Sequence, residues 1–442
     1  MAQEVESLLA VIFAGRRKAG KLDLEAVEMA TRAALHRAGA AVLEALLATE
    51  GECPSPVPCG CGQQAHYQER RAKQLVTVLG RVETERAYYV CPACHRGQSP
   101  RDQERDVEGT EYSPGVRRMM AVVGSETWLA QGREQRALLA GREVTAKAVE
   151  RQAEALGAEI AAQEQAVIQQ GLPQKLPEVG GPEIPVLYVE MDGTGVPMVA
   201  SETAGRAGKP SEQARTREVK WGCVFTQTTS DAKGRAVREE GSTTYTGGIE
   251  TAEASGRCIC TEAYRRGWNR AQKQVVIGDG APWIWNLVGE HFPGARQMVD
   301  LYHARQHLGE LSGKLWPSDE RPRWRWTRKQ QKKLDGGRIG PLVRQSRSLS
   351  RAHPPAIEEV RREADYFAAN APRMRYPAFR RQHLFVGSGV VEAGCKTLVG
   401  SRLKRSGMFW GVRGAHAIIA LRCNRLSGEF ENYWENRRAH AA

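Results

Sequence analysis

Two short apolar runs, each ending on Asp-Gly, constrain the second half of this 442-residue chain more than any other feature. The first is Val186-Leu187-Tyr188-Val189-Glu190-Met191, followed by Asp192 and Gly193. The second is Gln274-Val275-Val276-Ile277-Gly278, followed by Asp279 and Gly280. Runs of this length, rich in β-branched residues and bounded by glycine, read as buried strands. A third acidic residue, Glu392, follows Gly387-Ser388-Gly389-Val390-Val391 at what reads as the opening of a helix.

Around these positions strands alternate with helices. Leu187–Met191, Val219–Thr226 and Ser242–Thr246 read as strands, Ala252–Arg266 as a helix and Val275–Gly278 as a fourth strand. A helix near Trp283–Leu287, a short strand at Gln297–Asp300 and a helix from about Tyr302 follow. This is the element order of an α/β RNase H-like domain, a mixed five-stranded sheet in which two parallel strands extend three antiparallel ones. It puts Asp192 mid-sheet, Asp279 at the end of a neighbouring strand and the Glu392 helix across the sheet.

Carboxylates from separate elements that meet at one point bind Mg²⁺ or Mn²⁺ through hard oxygen donors. Two such ions about 3.5–4 Å apart serve phosphoryl transfer. Gly193 and Gly280, lacking Cβ atoms, leave room for a phosphate backbone. Glu190 lies two residues before Asp192 and so on the same strand face. It is an extra metal ligand or the partner of a basic neighbour, the second being preferred. In Asp300-Leu301-Tyr302-His303 the Asp and His either approach the scissile phosphate or form a helix N-cap with a structural histidine.

Between the fifth strand and Glu392, at about 309–380, lies a stretch of another kind, read as a helical insertion that splits the domain. Within it Arg321-Pro322-Arg323-Trp324-Arg325-Trp326-Thr327-Arg328-Lys329 interleaves cations with aromatics. Guanidinium groups neutralise phosphates and tryptophans stack on bases, so Arg323, Trp324, Arg325 and Trp326 are candidate nucleic-acid contacts. Past the glutamate, Arg402, Lys404 and Arg405 lie near a helix end, either holding a DNA strand or forming a solvated basic surface.

The first half is organised differently. Residues 1–50 read as two helices, with Leu24, Val27, Leu35, Val42 and Leu46 on a broad apolar face suited to a helical cap or an oligomerisation arm. Residues 51–105 carry Cys59-x-Cys61 and Cys91-x-x-Cys94 around Gln74–Val90, which alternates like two strands about a glycine turn. Cysteine knuckles flanking a hairpin make a zinc ribbon. The first knuckle is one residue short, so Cys53, His66 and His95 remain alternative ligands. Residues 106–170 read as helical, with a short helix at Glu134–Ala140, a turn at Gly141–Val144 and a helix capped by Thr145. That order fits a helix-turn-helix with Thr145, Lys147 and Arg151 near the groove. Residues 171–185, rich in Pro and Gly, read as a linker. The catalytic domain then occupies 186–442.

A formal charge of +13 concentrates polyanions on the surface. No segment approaches the roughly 18 consecutive apolar residues that suggest a membrane helix, and the acidic start lacks the basic region of a signal peptide. A cytosolic protein without a membrane partner is therefore expected. Its ten cysteines read as thiols or metal ligands rather than disulfides.

Together the motifs resemble the ISKra-type insertion-sequence transposases, bacterial members of the DDE class. The matching stretches are Val189–Pro197, Gly278-Asp279-Gly280-Ala281-Pro282-Trp283-Ile284-Trp285, Val299-Asp300-Leu301-Tyr302-His303, Gly387–Ala393 and Arg402–Trp410. The resemblance covers nearly the whole chain and departs at the first knuckle, where Cys-x-x-Cys is expected. It implies Asp192, Asp279 and Glu392 as ligands of catalytic Mg²⁺ or Mn²⁺, and an Asp-x-x-His element at Asp300 and His303. It also implies a nucleoid-associated protein that binds transposon terminal inverted repeats and target DNA as a dimer or higher oligomer.

Overall fold

Hydrophobic alternation about Gly80 produces the central hairpin of the N-terminal half. A computed structural model describes residues 17–18, 21–49, 55–126, 144–171, 181–206, 214–349, 357–387 and 394–441. The chain divides into two compact units, residues 1–153 with 431–442, and residues 154–430.

In the first unit β1 (Arg17–Lys18) pairs with β2 (Lys21–Leu22), and the helix Leu24–Thr49 follows. A four-stranded antiparallel sheet is then built from β3 (Val57–Pro58), β4 (Gln64–Val76), β5 (Arg81–Val90) and β6 (Gly97–Gln98). The expected hairpin is present, but β4 begins at Gln64, well before Gln74. Its first half has few buried residues, so hydrophobic alternation does not mark it. The turn is closed by the Thr77 N–H donating to the Gly80 carbonyl at 2.7 Å, while Thr77 Oγ1 accepts from the Leu79 and Gly80 amides. Leu75 and Val82 pack with Val107 and with Ala40 of the helix. The opposite side of that helix leaves Leu24, Leu35, Val42 and Leu46 exposed, so only part of its apolar surface is core.

The helices Pro114–Glu126 and Ala146–Gly171 are formed. Thr145 caps the second as expected, its Oγ1 accepting from the Ala148 N–H at 3.1 Å. The first of the two expected N-terminal helices, the helix at Glu134–Ala140 and most of the turn after it lie outside the described residues.

The second unit is mixed α/β. Its sheet contains β7 (Ile184–Pro197), β8 (Thr216–Ser230), β9 (Ala236–Arg238), β10 (Thr244–Gly248), β11 (Ala271–Gly278) and β12 (Arg296–Val299). The path runs β10-β8-β7-β11-β12, with β9 paired to β8. The β10–β8 and β8–β7 pairs are antiparallel, whereas β7–β11 and β11–β12 are parallel. The sheet thus has the expected five strands, plus β9, a short exposed edge too brief to give a periodic signal. β7 also runs on through Gly193 and Gly195, beyond the strand end expected at Met191. β8 pairs with it as far as Thr216↔Pro197, so tertiary pairing overrides the glycine signal.

Period-two alternation sorts the side chains of β7 between two buried faces. Leu187, Val189 and Met191 pack with Ile259 and Ala263 of the helix Ala252–Arg265 and with Leu287 and Val288 of the helix Pro282–His291. Tyr188, Glu190 and Asp192 point to the other face, where Tyr188 stacks on Phe225 at 4.8 Å and meets Phe385 edge-on. The expected insertion is helical: Leu301–Leu315 leads into Glu320–Asp335, Ile339–Ser348, Ile357–Ala369 and Tyr376–Arg381. No described helix is long and apolar enough to cross a membrane.

Candidate functional site

Register in the parallel half of the sheet determines where the acidic residues fall. The last β7–β11 pair is Met191↔Gly278, and the last β11–β12 pair is Gly278↔Val299. The next residue along each of the three chains is an aspartate, so Asp192, Asp279 and Asp300 stand side by side where the two parallel pairings end. The carboxyl end of parallel strands is the usual place for a site in an open α/β sheet.

Each of these carboxylates is fixed by backbone amides. Asp192 Oδ1 accepts from its neighbour's N–H, that of Gly193, at 2.7 Å. Asp279 Oδ1 accepts from Ala281 N–H at 2.7 Å. Asp300 caps the helix Leu301–Leu315, accepting from Tyr302 N–H at 2.7 Å and His303 N–H at 3.0 Å, while its own N–H donates to the Gly278 carbonyl at 2.9 Å. The N-cap reading of Asp300 is therefore met, and the cap also ties β12 to the end of β11.

Burial pushes the Asp192 carboxyl up to about 6; Asp279 and Asp300 push the same way, against the Gly193 amide and Lys404. Lys404, exposed, donates to Thr194 Oγ1 on β7. Glu190, fully buried on the same face, accepts from the Cys223 thiol at 3.7 Å.

The insertion reaches back to this site, which the sequence did not reveal. Tyr366 of the helix Ile357–Ala369 donates its hydroxyl to the Asp279 carbonyl at 2.7 Å, and Asn370 Nδ2 donates to the Gly280 carbonyl at 3.3 Å. Burial and the nearby charges of Asp279, Glu363 and Asp300 hold the Tyr366 phenol well above its usual range, so it stays a donor. Gly280 has φ +101, and a Cβ there would stand 2.5 Å from the Tyr366 ring. Trp285 Nε1 holds Asn370 Oδ1 at 2.9 Å.

His303 lies one turn beyond Asp300. Its Nε2 is 3.3 Å from His307 Nε2, and His307 Nδ1 is 2.6 Å from Glu363 Oε2. The His307 ring stacks on Tyr366 at 4.0 Å. Burial, then the neighbouring His307, hold the His303 imidazole below its ordinary value, while Asp279, Asp300 and Glu310 pull it up. His307 was legible as a helical i,i+4 partner of His303; nothing in the sequence marks Glu363 or Tyr366.

Glu392 lies outside the described residues. Its described flanks are close-packed: a Cβ on Gly387 would meet the Tyr302 ring at 2.8 Å, and one on Gly394 the Trp221 ring at 2.5 Å.

Some expected nucleic-acid contacts need correction. Trp326 is buried in the insertion, 5.8 Å from Trp316, and is core rather than a stacking platform. Arg402 is completely buried, with its guanidinium 4.9 Å from the Trp410 ring, so it does not face a DNA strand. The apolar Leu398, Val399 and Leu403 around it draw that segment inward, which a count of basic residues does not reveal. Arg323, Trp324 and Arg325 are exposed, and Arg405 is partly so, donating through Nε to the Ser401 carbonyl. In the first unit Thr145, Lys147 and Arg151 are exposed, with Lys147 paired to Glu150 at 2.8 Å.

In the first unit Cys59, Cys61, Cys91 and Cys94 converge, their sulfurs all within 4.8 Å of one another. Cys59 and Cys94 are 3.5 Å apart, and Cys61 and Cys91 3.6 Å. Four thiolates about 2.3 Å from one tetrahedral ion stand roughly 3.8 Å apart. The short first knuckle is thus no obstacle, and the four cysteines suffice without His66 or His95; Cys53 lies outside the described residues. The Cys94 and Ala93 amides and the Cys61 and Cys94 thiols pull the Cys91 thiol down to about 7, against burial. Among the described residues this is the group of three or more ligand-type side chains placed to share an ion.

No family model matches the chain, and no curated protein matches it.

Proposed function

We propose that this chain is a DNA transposase of the DDE class, built on an RNase H-like domain. The observation that carries the proposal is the placing of Asp192 and Asp279 side by side on neighbouring parallel strands. The strand path β10-β8-β7-β11-β12, third-second-first-fourth-fifth among the expected strands, supports it.

The donor chemistry fits Mg²⁺ or Mn²⁺: carboxylate oxygens are hard ligands, and the crowding that lifts Asp192 is relieved by a cation. Asp192 and Asp279 are the ligands, and Glu392 completes the set. Bound divalent ions supply Lewis acidity and an activated water or 3′-hydroxyl. The chain's own residues do the positioning. Tyr366 and Asn370 fix the Asp279–Gly280 backbone, and the missing Cβ at Gly280 makes room for the Tyr366 ring rather than for a phosphate. Lys404 sets a cation beside Thr194, two residues past Asp192 on β7, where a phosphate passes. The exposed face of the helix Glu320–Asp335, with Arg321, Trp324, Arg325, Arg328 and Lys332, holds DNA by charge and stacking. The Cys59/Cys61/Cys91/Cys94 module takes zinc, and with the helix beginning after Thr145 it recognises terminal inverted repeats. Joining two transposon ends requires at least a dimer on DNA.

Metal-dependent nicking of an inverted-repeat duplex tests this reading. Asp192→Asn and Asp279→Asn should each lower the rate at least about a hundredfold, the scale of charge stabilisation at a metal site. Undiminished nicking in both variants would refute the assignment. Tight end binding with no metal-dependent reaction would indicate a DNA-binding regulator.

A further inference from the structure

The His303–His307–Glu363 chain is not needed for holding a metal, yet it lies near the aspartates, with both histidines half-buried and Glu363 buried. Its contacts admit two proton arrangements. In one, neutral His307 donates Nδ1–H to Glu363 and accepts the Nε2–H of His303, leaving His303 Nδ1 as a lone pair. In the other, doubly protonated His307 donates to both Glu363 and His303 Nε2, and His303 carries its proton on Nδ1. One proton interconverts them: it bonds to His303 Nδ1, while the proton on His303 Nε2 leaves that atom and bonds to His307 Nε2. No other reactant is required, and Glu363 stays ionised throughout.

We infer that His307 and Glu363 form a proton relay behind His303, letting His303 Nδ1 alternate between base and acid while the positive charge rests on His307. His307 and Glu363 are positioning residues; His303 is the group offered to the reacting DNA. The role at DNA rests on the transposase reading, whereas the relay rests on geometry.

The surroundings of the three side chains favour this division of charge. His303 is faced by His307 and Glu310 from its own helix, by Asp300 at the cap and by Asp279 from the end of β11. His307 has a carboxylate at 2.6 Å and the Tyr366 ring against its face, so a cation is compensated there. Arg362 Nε lies 3.8 Å from the other Glu363 oxygen, on the solvent side of the pair. A single neutral histidine can serve as base or acid only by becoming charged itself; the chain moves that charge one ring away from the reacting atoms.

Histidine-selective ¹⁵N labelling of the full chain tests this, with long-range ¹H–¹⁵N spectra across a pH titration and assignment through His303→Gln and His307→Gln. The expected result is one shared midpoint, at which His307 becomes doubly protonated and His303 stays neutral but exchanges its Nε2 proton for one on Nδ1. Glu363→Gln should lower that midpoint by about one unit or more, as loss of an adjacent carboxylate does. Separate midpoints, or an imidazolium at His303, would overturn the relay. Should Glu363→Gln fail to fold, the wild-type spectra decide alone. In the nicking assay Glu363→Gln should shift the pH profile of kcat and leave KM unchanged; an unshifted profile would overturn the relay's part in the reaction. Relay spectra in a chain with no metal-dependent DNA chemistry would leave the relay standing and sink the transposase reading.

Discussion

At the residue scale the central group is Asp192, whose carboxyl is raised by burial from 3.8 to about 6 in the folded chain. Between those two pH values the native state holds a proton that the unfolded chain has lost, so stability falls as pH rises through the window. Above it the full penalty is present, at most about 3 kcal/mol before solvent relaxation. Asp192→Asn should therefore raise the melting temperature of metal-free protein near neutral pH, and the gain should vanish once the wild-type carboxyl is protonated in both states. Equal melting of the two proteins at neutral pH would show that the site is not strained by charge. Gly280→Ala should act oppositely: with φ +101 and the Tyr366 ring 2.5 Å from the new Cβ, it should destabilise by about 1–3 kcal/mol. Thermal melts of Gly280→Ala with Tyr366→Phe beside it separate the clash from the missing hydrogen bond. The aspartates were legible because each ends an apolar run. Tyr366 and Glu363 were not, because they meet the site from a helix far along the chain and sit in no local pattern.

At the scale of elements, periodicity recovered the strands and helices that bury a face, and missed what long-range pairing imposes. β7 extends through Gly193 and Gly195 because β8 supplies its partner, and early β4 is a strand without a buried face. The basic helix Glu320–Asp335 illustrates the same limit: Trp324 and Trp326 look equivalent in sequence, whereas one is 60% exposed and the other 7%. Trp326→Ala should destabilise the second unit by about 3–5 kcal/mol. Trp324→Ala should leave melting unchanged and weaken binding to single-stranded DNA by about 1–3 kcal/mol, the usual contribution of one stacked base. Calorimetry with fluorescence titration checks both; reversed effects would contradict the packing. In the ribbon, Cys94→Ser should abolish the bound metal equivalent measured by emission spectrometry, and chelation should unfold that unit in wild type.

At the scale of the molecule, the +13 charge is sequence-legible, but its distribution over exposed helices depends on the fold. Replacing Arg321, Arg325 and Arg328 together should flatten the salt dependence of DNA binding, by about one unit of slope for each phosphate that is no longer neutralised. An unchanged slope would place the DNA on another face. The most direct test of the central claim is joining. Purified protein with Mg²⁺ or Mn²⁺ and labelled, 3′-pre-cleaved ends from the repeats flanking its own gene is incubated with plasmid, beside Glu392→Gln. The expected result is covalently joined product that the variant does not make. Cutting without joining, or joining that survives Glu392→Gln, would contradict it.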